Sequence, residues 1–64
     1  MISYEPFWKY CKENKISQYR LNNEYGITNY QLDMLRNNKP ISLKTLEKIC
    51  KAMNLKVEEV VEIK

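Results

Sequence analysis

The chain contains no histidine, one glycine, two prolines and two cysteines. Without histidine there is no imidazole to activate a serine or cysteine nucleophile. Cys11 and Cys50 alone fall short of the four Cys/His ligands that a zinc site usually needs. A single glycine excludes a glycine-rich phosphate cradle, and with only two prolines it argues against a sandwich of tight hairpins. No apolar run approaches the roughly 18 residues of a membrane span. The opening MISYEPFWKY lacks the basic start and apolar stretch of a secretory signal. Acidic pairs such as Glu58 and Glu59 exist, but so short a chain has little volume for a catalytic cleft. These shortages predict a cytoplasmic, non-enzymatic protein with no metal and no cofactor.

What is present is enough for one domain over residues 1–64. Hydrophobic residues make up 44% of the chain, sufficient for one small core and too many for a disordered tail. A chain of this size buries only about 60% of its unfolded surface, so its stability margin is thin. The net charge is +3 and unevenly spread. From Lys15 to Lys51 there are seven basic and three acidic residues; from Asn54 to Lys64 there are two basic and three acidic. A basic middle followed by a slightly acidic end suits a polyanion footprint on one face.

Periodicity and capping signals predict four helices and a weaker fifth. The first follows Pro6, a favoured early helical residue, carries Tyr4, Phe7, Trp8 and Cys11 at helical spacing, and stops near Asn14 or Lys15. Ser17 caps the second, with Leu21 and Tyr25 four apart on its inner face. Gly26 follows at once, where left-handed geometry is free. Thr28 caps the third helix, and Gln31 three residues later completes a capping box. That helix turns Leu32 and Leu35 inward and ends at Asn37-Asn38, just ahead of Pro40. Ser42 caps the fourth, whose apolar stripe runs through Leu43, Leu46, Ile49, Cys50 and Met53. The segment around Val60 and Val61 reads either as a final helix or as an extended tail, with Val60 the first choice to close the core. Cys11 and Cys50 lie on apolar stripes and read as small packed hydrophobes rather than a disulfide. Trp8 reads as a core anchor.

Two helices joined by a glycine-containing turn of about three residues describe a helix-turn-helix unit, here over about 17–38. The spacing of Gln18, Leu21, Gly26, Ile27, Thr28, Leu32 and Leu35 resembles the lambda-repressor-like family of Cro, cI and Xre type. The resemblance implies an all-α, compact four- to five-helix DNA-binding domain with a recognition helix at about 28–37. It covers the whole chain, although only about 20 residues carry specific signal. Two departures stand out. The family usually has alanine where this chain has Asn22, and often glycine where it has Asn38. A polar side chain at a tight helix crossing must find a hydrogen bond or tilt outward. Replacing Asn22 by alanine is therefore expected to stabilise the domain.

The helical wheel selects the reading residues. With Leu32 and Leu35 inward, Asn29, Tyr30, Asp33, Met34 and Asn37 form the outward set. In helix-turn-helix docking the N-terminal part of the recognition helix meets base edges. Asn29 suits adenine, and Tyr30 with Met34 one turn on suits thymine methyl groups. Asp33 would be repelled by phosphates and is expected to pair with Arg36. Phosphate contacts fall to residues near helix starts and to flanking bases: Gln18, Thr28, Asn37, Lys39, Ser42 and Lys44. The expected function is sequence-specific binding of double-stranded DNA by a repressor-type transcriptional regulator, with no small-molecule effector and no membrane partner. The alternative is a protein-interaction module on the same fold, such as an antirepressor, an antitoxin or an inhibitor. A homodimer is expected, with Val61 and Ile63 as candidates for the joint.

Overall fold

The computed structural model describes every residue from Met1 to Lys64, with a radius of gyration of 10.6 Å. A two-residue strand β1 (Ile2–Ser3) precedes helices α1 (Glu5–Glu13), α2 (Gln18–Asn23), α3 (Asn29–Arg36) and α4 (Leu43–Met53). A single 3-10 turn follows at Val57–Glu59, then strand β2 (Glu62–Ile63). The architecture is all-α apart from the antiparallel ladder of β1 with β2, in which Ile2 faces Ile63 and Ser3 faces Glu62. No helix is long and apolar enough to cross a membrane.

Three of the four helices start where a side chain can receive the free amides. Ser17, Thr28 and Ser42 accept hydrogen bonds from the backbone N–H of Arg20, Gln31 and Thr45. Thr28 and Gln31 form the reciprocal capping box. Three helices end alike. Lys15, Asn38 and Asn54 take left-handed backbone angles, with φ of 53°, 52° and 55°. The next residue's N–H then reaches back across the last turn: Ile16 to the Cys11 carbonyl, Lys39 to Met34, Leu55 to Cys50. This is the Schellman closure, and it folds the apolar Ile16 and Leu55 back over the helix they leave. The exit from α2 differs. Its left-handed residue is Gly26 at φ 69°, and the Ile27 N–H bonds the Leu21 carbonyl.

The core gathers Tyr4, Phe7, Cys11, Leu21, Ile27, Leu32, Leu35, Ile49, Met53 and Val60. All four helices contribute at least one side chain, so none is stable apart from the others. Trp8 sits half-buried at the edge, its ring meeting Phe7 edge-on with centroids 4.9 Å apart.

Four expectations are corrected. Of the two readings of the C-terminal segment the helix is corrected: a lone 3-10 turn leads into a short strand, because Glu62 to Lys64 pair with Met1 to Ser3 in the ladder. Helix α2 stops at Asn23, leaving Tyr25 half-buried in the turn. Leu43 is 83% exposed. It lies about 120° around the wheel from Ile49, on the first turn of α4, where the core does not reach.

The fourth correction concerns Asn22. Its amide donates to the Ile27 carbonyl at 2.7 Å and so ties α2 to the turn that aims α3. Alanine there would gain helix propensity but leave a carbonyl of a buried residue without that partner. We expect Asn22→Ala to cost about 1 kcal/mol, the net worth of such a bond. Thermal melting checks this, and a variant melting at or above the parent would contradict it.

Candidate nucleic-acid interface

Helix α3 is held from behind and bare in front. Leu32 and Leu35 are fully buried, while Asn29, Tyr30, Asp33 and Asn37 are exposed. Its start is fixed by the capping box. Its end is fixed by Asn38, whose side-chain oxygen accepts the Tyr4 N–H at 3.1 Å. The Tyr4 hydroxyl donates to the Lys39 carbonyl at 2.6 Å, and the Trp8 indole N–H donates to the Leu35 carbonyl at 3.3 Å. Three bonds therefore brace the C-terminal end of α3 against the start of α1.

The residues expected to touch DNA fall into two groups. Asn29 and Tyr30 open α3, and Tyr30 is 73% exposed. Met34 is half-buried rather than outward, because it lines a cleft of about 230 Å³ shared with Thr28, Tyr30, Pro40 and Ile41. Around them lie Gln18 at the start of α2, Thr28 and Ser42 as caps, and Lys39 and Lys44 on either side of Ser42. Lys39 and Lys44 are exposed, and neither joins any of the ion pairs. The Asn37 amide curls back to donate to the Asp33 carbonyl at 2.8 Å, leaving one of its two N–H groups unused.

Asp33 pairs with Arg36 at 3.0 Å, as the spacing suggested. Arg36 does more than the sequence indicated. Its other terminal nitrogen donates to the Gln18 side-chain oxygen at 2.7 Å, and its guanidinium lies over the Trp8 ring, 5.6 Å from the centroid. Gln18 in turn donates to the Asn29 side-chain oxygen at 3.2 Å. One polar chain thus runs from α1 across the end of α3 to α2 and back to the start of α3. Sequence reading paired Arg36 with Asp33 but had no means of pairing it with a residue 18 positions away.

A short helix, a glycine turn and a capped helix with a bare outer face, set within a four-helix core, define a helix-turn-helix DNA-binding domain. The chain belongs to the family of Cro/C1-type HTH DNA-binding domains, which it matches over residues 7–64. In fold it is similar to the transcriptional regulator VanUg, with a TM-score of 0.81 at 24% identity over 95% of this chain and 81% of that one. No curated protein matches the sequence.

Proposed function

We propose that the domain is a repressor-type transcriptional regulator that lays α3 in the major groove of specific double-stranded DNA. One observation carries this reading: α3 is anchored by Leu32 and Leu35 and bare along Asn29 and Tyr30, the turn that helix-turn-helix docking presents to base edges. Asn29 reads by hydrogen bonding, and the Tyr30 ring and Met34 thioether offer apolar contact to thymine methyl groups. Lys39 and Lys44 supply charge to the phosphates. Thr28 and Ser42 bring the N-terminal amides of α3 and α4 toward them, with Gln18 and the spare Asn37 N–H alongside. A domain seated in this way across a promoter blocks access to it. Both cysteines are free thiols, in keeping with a reducing cytoplasm.

The proposal includes a homodimer on half-sites about 34–36 Å apart. Met1 and Lys64 exchange both backbone bonds across the ladder. The neighbouring Ile2 and Ile63 are then the pair that does not exchange bonds, and the Ile63 N–H and C=O point away from β1. That open edge and a side chain 77% exposed favour Ile63 as the joint, with the half-buried Val61 at its margin.

Fluorescence anisotropy with labelled duplex at several salt concentrations tests the proposal. About four phosphate contacts per subunit give a log–log salt slope near −4, doubling when two copies occupy one duplex. A slope near zero would defeat it. Such a result would favour a protein partner for the exposed Tyr30 and the neighbouring Met34 instead.

A further inference from the structure

We propose that Tyr4, buried on the far side of the α3–α4 connection, sets the strength of DNA binding by fixing the backbone on which Lys39 stands. The proposal rests on the DNA-binding reading above and makes Tyr4 a positioning residue for the Lys39 ammonium. Tyr4 precedes the residues 7–64 that match the family, so its contacts lie outside what that match covers.

Three bonds hold this part of the connection. The Lys39 N–H donates to the Met34 carbonyl at 2.9 Å, which is the helix's own closure and needs only a left-handed residue at position 38. The other two come from Tyr4, 34 and 35 positions earlier in the chain. Its N–H donates to the Asn38 side-chain oxygen at 3.1 Å, and its hydroxyl donates to the Lys39 carbonyl at 2.6 Å. The backbone of Ile41 also bears on that hydroxyl, so Tyr4 grips the chain on both sides of Pro40. Tyr4 is itself immobile. It is 1% exposed, it caps α1, and its carbonyl accepts the Trp8 N–H at 3.2 Å. The connection is thereby anchored to the core.

The consequence falls on affinity. Lys39 is exposed and joins none of the ion pairs, so its ammonium is available to a phosphate. A lysine on a mobile peptide loses backbone freedom when it meets a phosphate, and binding is weaker by that amount. On a peptide held at both its N–H and its carbonyl, that freedom is already lost on folding. Removing the Tyr4 hydroxyl leaves the Lys39 carbonyl without its partner and returns the freedom to the unbound domain. Phosphates carry no sequence information, so the effect is the same on every duplex.

The test is a double-mutant cycle on the full chain: parent, Tyr4→Phe, Lys39→Ala and the two together. Fluorescence anisotropy measures each on two labelled duplexes, a site the parent selects from a random pool and an unselected sequence. Tyr4→Phe keeps the ring and removes the hydroxyl. It should weaken binding about 3–10-fold, the worth of one hydrogen bond, equally on both duplexes. In the Lys39→Ala background the same change should cost less than about 2-fold, as for residues that act through one another. A loss of equal size in both backgrounds would mean that Tyr4 acts through the fold as a whole, and overturns the proposal. So does a Tyr4→Phe variant that binds like the parent. Circular dichroism at the assay temperature shows whether the variants are folded. If Tyr4→Phe is not, Asn38→Gly takes its place in the cycle, because glycine keeps the left-handed angle and removes the acceptor of the Tyr4 N–H. A parent that binds neither duplex at low salt defeats the DNA-binding reading itself and this proposal with it. That outcome is distinct from a parent that binds while Tyr4 and Lys39 act independently.

Discussion

Phe7→Ala should leave the domain largely unfolded at room temperature. Phe7 is fully buried, meets Trp8 edge-on and belongs to the ten-residue core that all four helices share. Truncating a buried phenylalanine costs about 3–5 kcal/mol, through lost burial and the cavity that remains. A 64-residue domain has about 3–10 kcal/mol of stability in all. The loss consumes most of it, since no second core exists to hold the rest of the chain. DNA binding should fail with the fold, because α1 braces the end of α3 through Tyr4 and Trp8. Far-UV circular dichroism during urea titration gives the measurement. A variant that keeps the parent's helical signal and midpoint would show that this core is far more tolerant than its size allows.

Alkaline pH should destabilise the domain through Cys11. Burial pushes the Cys11 thiol from its ordinary 9.0 up to about 11. The folded state therefore keeps the proton where the unfolded chain has released it. The contribution is fully present below pH 9 and is lost as pH rises through 11. Two pH units correspond to about 3 kcal/mol. Burial also raises the Tyr4 phenol, against a smaller opposing contribution from the Ile41 backbone, so its titration works in the same direction. Unfolding free energies at pH 8, 9, 10 and 11 for the parent and Cys11→Ala isolate the thiol from the lysines and tyrosines common to both. The parent should lose about 2 kcal/mol more than the variant across that range, the remainder being lost above pH 11. Parallel curves would mean that the thiol ionises as readily folded as unfolded.

The elements that local chemistry specifies were legible in the chain. Ser17, Thr28 with Gln31, and Ser42 mark helix starts because a side-chain oxygen within three residues meets the free amides there. Gly26 and the asparagines mark exits because they tolerate left-handed backbone. Leu32 and Leu35 set the inner face of α3, and with it the outer face where Asn29 and Tyr30 lie. What was not legible depends on partners far apart in the chain. Two-residue strands carry no periodicity, so the pairing of Ile2 with Ile63 left no trace. Asn22 looked like a defect at a helix crossing because its partner is a backbone carbonyl, and every residue has one. Asn38 was read only for its backbone, yet its side chain also receives the Tyr4 N–H. Arg36 showed its neighbour Asp33 but not Gln18, which lies 18 positions away in the chain.

The β1–β2 ladder has a consequence for how the domain forms and opens. Its outermost bonds join Met1 to Lys64, 63 positions apart, whereas each helix closes within four. Chain-closure entropy weighs most heavily on such distant contacts and is repaid here by a ladder of only two residues per strand. The helices and their shared core therefore assemble first, and the ladder zips last. In the native state the order reverses, and the ladder frays at a free energy well below that of global unfolding. Each fraying event frees the Lys64 ammonium from Glu5 and loosens the segment after Val60, while the turn, the capping box and the bare face of α3 stay closed. The outer face of α3 is thereby insulated from the opening of the ladder.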